Sequence, residues 1–206
     1  MLTRRSDTEE AGRRALLYFV VPLWIGAGLV DWVHHRRTGI ERTAGPRESL
    51  LHLAMMAEGL VPALLGLFAE VNAGVLATAI GALAAHEATA VWDVRYAEQR
   101  RRVTPWEQHT HSFLEVVPLM GVTLLTVLHW DQFLALFGRG RARPRFALRW
   151  KRDPLPAAYV ATVLAAVAIF GALPYVEELV RCAQHAGSRE PLPRDERAPL
   201  QEVVVS

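Results

Sequence analysis

Five runs of predominantly apolar residues, near 15–34, 50–69, 73–93, 110–130 and 156–176, divide this 206-residue chain. Each is close to the roughly 20 residues that a helix needs to cross a hydrocarbon core of about 30 Å. Backbone polar groups in lipid must be paired within the segment, so runs of this kind fold as helices. The chain is therefore expected to be an all-α, polytopic membrane helix bundle of about five transmembrane helices, placed in a bacterial inner membrane. The first run follows Arg13-Arg14 and reaches Asp31-Trp32 without a small-x-small cleavage site, so it reads as a retained helix rather than a signal peptide. Residues 1–14 form a basic amino-terminal segment, 15–176 the bundle, and 177–206 a polar tail expected to be disordered.

Composition narrows the chemistry. A chain that is 51% hydrophobic and 21% charged is not a disordered or purely electrostatic binder. Its single cysteine, Cys182, excludes an intrachain disulfide and any thiolate-held zinc or iron–sulfur cluster supplied by one chain. The basic residues are nearly all arginines set beside apolar runs, which points to lipid neighbours and not to nucleic acid. Lys and Arg total 11 on one side of the five spans and 12 on the other, so charge bias leaves the orientation open. Oligomerisation is left open as well.

A short repeat marks the polar part of the bundle. Pro46-Arg-Glu48-Ser-Leu-Leu-His52 and Pro105-Trp-Glu107-Gln-His-Thr-His111 share Pro-x-Glu-x-x-x-His at an offset of 59. Each follows an aspartate near a helix end, Asp31 or Asp93, and precedes a glutamate with a Val-Pro, Glu58 or Glu115. The first four helices thus read as two repeated helical hairpins around a polar site.

Ionisable groups at membrane depth cost roughly 2.5–3.5 kcal/mol each on insertion scales, so a cluster of them demands a common purpose. Antiparallel order brings Asp31, His34 and His35, then Glu48 and His52, then His86 and Asp93, then Glu107, His111 and Glu115 to one membrane face. Spacings of four or seven put the members of each set on one helix side. Carboxylates with imidazoles inside a four-helix bundle are the ligands of dinuclear iron and manganese sites. The expected metal ligands are Asp31, His35, Glu48, His52, His86, Asp93, Glu107, His111 and Glu115, around two Fe, with Mn or Zn as alternatives. His34, Glu58, Glu87 and His109 are candidates for orienting them. Arg36, Arg37, Arg47 and Arg101 border the same face and could bind an anionic lipid headgroup.

Asp31-Trp-Val-His34-His35 resembles the His-x-x-His-His box of membrane-bound di-iron fatty-acid desaturases and hydroxylases, with aspartate in the first place. The resemblance implies dioxygen-dependent attack on a carbon–hydrogen bond of a lipid or other apolar substrate, with an external electron donor. Three other readings stay open. They are a metal-dependent hydrolase of a phospholipid or ester, a b-type haem protein using His52 and His111, and an ion transporter.

Overall fold

The computed structural model describes residues 7–187. Six helices follow one another: α1 (Asp7–Thr38), α2 (Pro46–Phe68), α3 (Ala73–Glu98), α4 (Pro105–Leu128), the short α5 (Trp130–Leu136) and α6 (Ala157–Gly187). All but α5 are long and apolar enough to cross a membrane. The shortest of those five has 23 residues, a rise of about 35 Å. Among the described residues no strand forms, and one isolated bridge joins Ala69 to Trp150.

Local chemistry sets the helix ends. Gly39 closes the regular turns of α1 with φ +66° and returns its N–H to the carbonyl of His35. Gly45, at φ +71°, turns the chain into Pro46, the first residue of α2. Asn72 caps α3 by accepting from the Val75 N–H at 3.1 Å, and Thr104 opens α4 in a capping box with Glu107. The runs Leu16–Val20 in α1 and Val167–Ala172 in α6 widen into π-helix just before Pro22 and Pro174, which bring no N–H to the helical ladder.

The helices extend beyond the apolar runs. α1 already includes the final eight residues of the expected basic segment, α2 starts at 46 rather than 50, and α4 starts at 105 rather than 110. The largest difference is at α6, which continues eleven residues past 176, so the expected tail opens as helix; residues 188–206 lie outside the described part. The reason is burial. Tyr175, Glu178 and Cys182 repeat on one side of α6 and pack inside the bundle, so polarity there does not end the helix.

α2 packs on α3, α1 on α4, and α6 against α1 and α2. One end of the bundle is apolar, around Val71, Leu76, Ala79, Val122 and Leu125. The loop at 139–152 straps that end. The Glu70, Gly74 and Lys151 N–H groups donate to the carbonyls of Arg149, Arg145 and Phe68 at 2.8, 3.0 and 2.9 Å. The buried carboxylates collect at the other end, while Phe19, Val30, Leu119 and Ile169 are exposed on the outside, as a lipid-facing surface requires.

Candidate metal centre

All five long helices deliver a side chain to one buried cluster. The last turns of α1 bring Asp31 and His35, and the first turns of α2 bring Glu48 and His52. Asp93 comes from α3, Glu107 and His111 from the start of α4, and Tyr175 and Glu178 from α6. Helical spacing of four explains why each pair shares a face. Five carboxylates and three imidazoles are buried here, with His35, Glu48, Glu107 and Glu178 wholly inaccessible.

Glu178 organises the imidazoles. Its Oε2 lies 3.0 Å from Nδ1 of His35 and its Oε1 2.9 Å from Nδ1 of His52, and the two rings stack at 4.3 Å with only 9° between their planes. An ionised carboxylate only accepts, so this pairing puts a proton on Nδ1 of each ring, and in the neutral ring Nε2 then keeps its lone pair. Those nitrogens turn toward carboxylates. Nε2 of His35 is 3.6 Å from Asp31 and 3.5 Å from Glu107, and Nε2 of His52 is 3.4 Å from Asp93. Nε2 of His111 stands 3.1 Å from Oδ1 of Asp31, whose other oxygen accepts from the Tyr175 hydroxyl at 3.2 Å.

The two Pro-x-Glu-x-x-x-His segments each open a helix. Glu48 and Glu107 are each the third residue of their helix, and both meet Arg101, whose Nη2 lies 2.5 and 2.6 Å from them. Burial alone would lower the pKa of this guanidinium, but the hydrogen bonds and charges of Glu48 and Glu107 raise it, so it stays a cation. The aspartates cross over, Asp31 to His111 and Asp93 to His52. His35 has no counterpart on α3, where Ala97 stands four residues after Asp93.

Two observations show that these contacts do not satisfy the cluster. His35 Nε2, His52 Nε2, Asp93 Oδ1 and His111 Nδ1 are buried without a properly formed hydrogen bond, although each side chain has polar neighbours. Contacts of 3.4–3.6 Å are too long to repay desolvation. Charge is also out of balance. Five carboxylates against one guanidinium leave four negative charges, and protonating all three imidazoles would still leave one. Two triads, Asp31–His35–His111 and His35–Glu48–His52, bring one potential ligand atom from each residue within 4.8 Å of the others, so the cluster is placed to hold a metal ion.

Of the residues expected as ligands, the structure brings together Asp31, His35, Glu48, His52, Asp93, Glu107 and His111. It does not bring His86 and Glu115 there. His86 lies two turns from Asp93 along α3, and its ring nitrogens meet the backbone carbonyls of Met55 and Leu114 at 3.2 and 3.3 Å. The Leu114 carbonyl lacks its helical donor because Pro118 stands four residues on, so His86 fills a vacancy in α4. Glu115 is half-buried, with no hydrogen bond or ion pair to the cluster among the described residues. Among the orienting candidates, Glu58 accepts from the Thr89 hydroxyl at 2.9 Å, His109 is exposed between the Trp106 and Phe113 rings, and His34 and Glu87 are half-buried away from the centre.

Among the arginines, Arg36 pairs with Glu177 and Arg47 lies over Tyr96, both at the surface. Arg101 is the correction: its side chain is only 4% exposed and it is a counter-ion inside the site, not a headgroup ligand at the rim. Sequence reasoning missed Glu178 and Tyr175. The available signal was parity, because a fifth antiparallel helix must end at the face where the first and third end, and Glu177-Glu178 closely follows its apolar run. No family model, curated protein or solved structure matches this chain.

Proposed function

We propose that the cluster is a dinuclear metal centre, and that the protein is a di-iron oxidoreductase acting on a lipid or other apolar substrate in the membrane. The observation that carries this reading is the buried excess of five carboxylates over one guanidinium, together with four cluster atoms that have no hydrogen bond, His35 Nε2, His52 Nε2, Asp93 Oδ1 and His111 Nδ1. With the imidazoles neutral, as metal ligands must be, four negative charges remain, which two divalent cations would neutralise and one would not. Oxygen and nitrogen ligands without thiolate suit iron or manganese, and the Glu178 carboxylate on the far nitrogens of His35 and His52 is the usual kind of support for a metal-bound imidazole. When bound, the iron pair would supply dioxygen reduction. In desaturation one dioxygen would accept two electrons and two protons from the donor system and two hydrogen atoms from the substrate, leaving two waters. In hydroxylation one oxygen atom would enter the substrate and one water would leave. The electrons require an external donor, because no flavin or iron–sulfur motif is present in this sequence.

The haem reading fits less well. The imidazoles of His35 and His52 stack on each other, and the cavity beside His52 has about 70 Å³, narrow for a porphyrin. The test is elemental analysis with an absorption spectrum on protein purified in mild detergent without chelator. Near two irons per chain, followed by dioxygen uptake with lipid substrates, supports the proposal. Zinc or manganese redirects it to hydrolysis, a Soret band to haem, and neither metal nor chromophore after reconstitution overturns it.

Glu178→Gln gives a narrower check. The amide has one accepting oxygen where two N–H groups need acceptors, so one ring must turn its protonated nitrogen inward. Metal affinity, measured by competition with a chelator, is expected to fall about 10- to 100-fold, whereas unchanged affinity would remove Glu178 from the centre.

A further inference from the structure

Two cavities lie one beyond the other between the cluster and the apolar half of the bundle. The first is bounded by Asp31, His52 and Tyr175 at one end and by Trp24 and Leu60 at the other. The second, of about 130 Å³, continues past Leu64 and Gly66 to Leu125, with Glu58 and His86 as its only charged or ionisable wall residues. Trp24, Leu60, His86 and Val167 line both, so the two meet around Trp24. The Trp24 ring presses on Gly59, where a Cβ would stand 2.3 Å from it, and only glycine leaves the indole this position. Residues of both π-helical stretches, Leu16, Val20 and Val167 among them, form the walls. Such stretches widen a helix and are frequent at functional sites.

We infer that these cavities are one tunnel for a single unbranched hydrocarbon chain, with one end against Asp31, His52 and Tyr175 and the methyl end beside Gly66. From His52 to Gly66 the helical rise is about 21 Å, longer than the roughly 15 Å of hydrocarbon depth that one leaflet supplies. Water is a poor occupant of so apolar a space, and an empty one forfeits dispersion contacts on every wall. The surrounding solvent of this part of the bundle is itself hydrocarbon. The tunnel names the substrate class of the centre proposed above and rests on that reading for its chemistry, but its binding can be measured separately.

Gly66 has no atom within 4 Å of where its Cβ would lie, so Gly66→Leu fills the tunnel without displacing backbone. Gly121→Leu does so from the opposite wall, where a Cβ meets only Val20 at 3.6 Å and Leu16 at 3.9 Å. Equilibrium binding of radiolabelled octadecan-1-ol and decan-1-ol, which carry no charge into the carboxylate-rich end, is compared in wild type and both variants, metal-loaded and metal-free, in a steroid-based detergent that has no alkyl chain to compete. Wild type is expected to bind one octadecanol saturably. Each variant is expected to lose about tenfold or more of octadecanol affinity while keeping decanol binding, metal content and melting temperature. Absence of saturable octadecanol binding, or equal binding of octadecanol by wild type and both plugged variants, overturns the tunnel. Saturable octadecanol binding to a protein that holds no metal keeps the tunnel and fails the metal centre; metal retention without octadecanol binding does the reverse.

Discussion

His52→Ala and His111→Ala are each expected to abolish metal binding while leaving the protein in the membrane. The two histidines close the repeated Pro-x-Glu-x-x-x-His segments and face the two aspartates crosswise, His52 to Asp93 and His111 to Asp31. Removing either takes a neutral nitrogen ligand from a site that is otherwise crowded with carboxylates, and it opens a gap that a water must fill. The loss should exceed the roughly 10- to 100-fold that an orienting partner contributes. His129→Ala is the matched control, because His129 sits at the junction of α4 and α5, at the opposite end of the bundle. Metal content per chain, measured on all three after the same purification, reads the result. Full retention in both site variants would sink the centre, and a silent His52 beside a dead His111 would show that the two segments are not equivalent.

How far the sequence disclosed this site depends on which physical signal each residue carried. Asp31 with His35, Glu48 with His52 and Glu107 with His111 were legible because a spacing of four on a helix leaves one geometric outcome, and antiparallel order sends those helix ends to one face. Depth along the helix was harder to read than direction around it. His86 has the correct face for Asp93 but lies about 10 Å along α3 from it, and there the carbonyl freed by Pro118 takes its ring. Hydropathy hid Glu178, since a polar helix end looks the same whether it reaches water or is buried against two imidazoles. Arg100, Arg101 and Arg102 are alike as sequence, and only the packed loop separates them: Arg100 stacks on Tyr96 at 3.6 Å, Arg102 is exposed, and Arg101 enters the site.

Arg101→Ala is expected to destabilise the metal-free protein by about 3–5 kcal/mol, the usual cost of stripping the partner from a buried charge. Glu48 and Glu107 would be left facing each other with no cation between them, in a cluster already short of positive charge. Two rescues distinguish the cause. Changing both carboxylates to glutamine in the Arg101→Ala background removes the repulsion and should recover much of the loss, because the three groups act as one unit. Divalent metal should recover it by a different route: binding only the folded state at a hundred times its Kd adds about 2.7 kcal/mol. That gain should be larger in Arg101→Ala than in wild type, where the guanidinium already occupies part of the role. Thermal unfolding in detergent, with chelator and with added Fe(II) or Mn(II), measures both. Rescue by the glutamines alone would leave a structural ion network stabilised by Arg101, whereas rescue by metal as well ties the guanidinium to a centre whose missing charge is metallic.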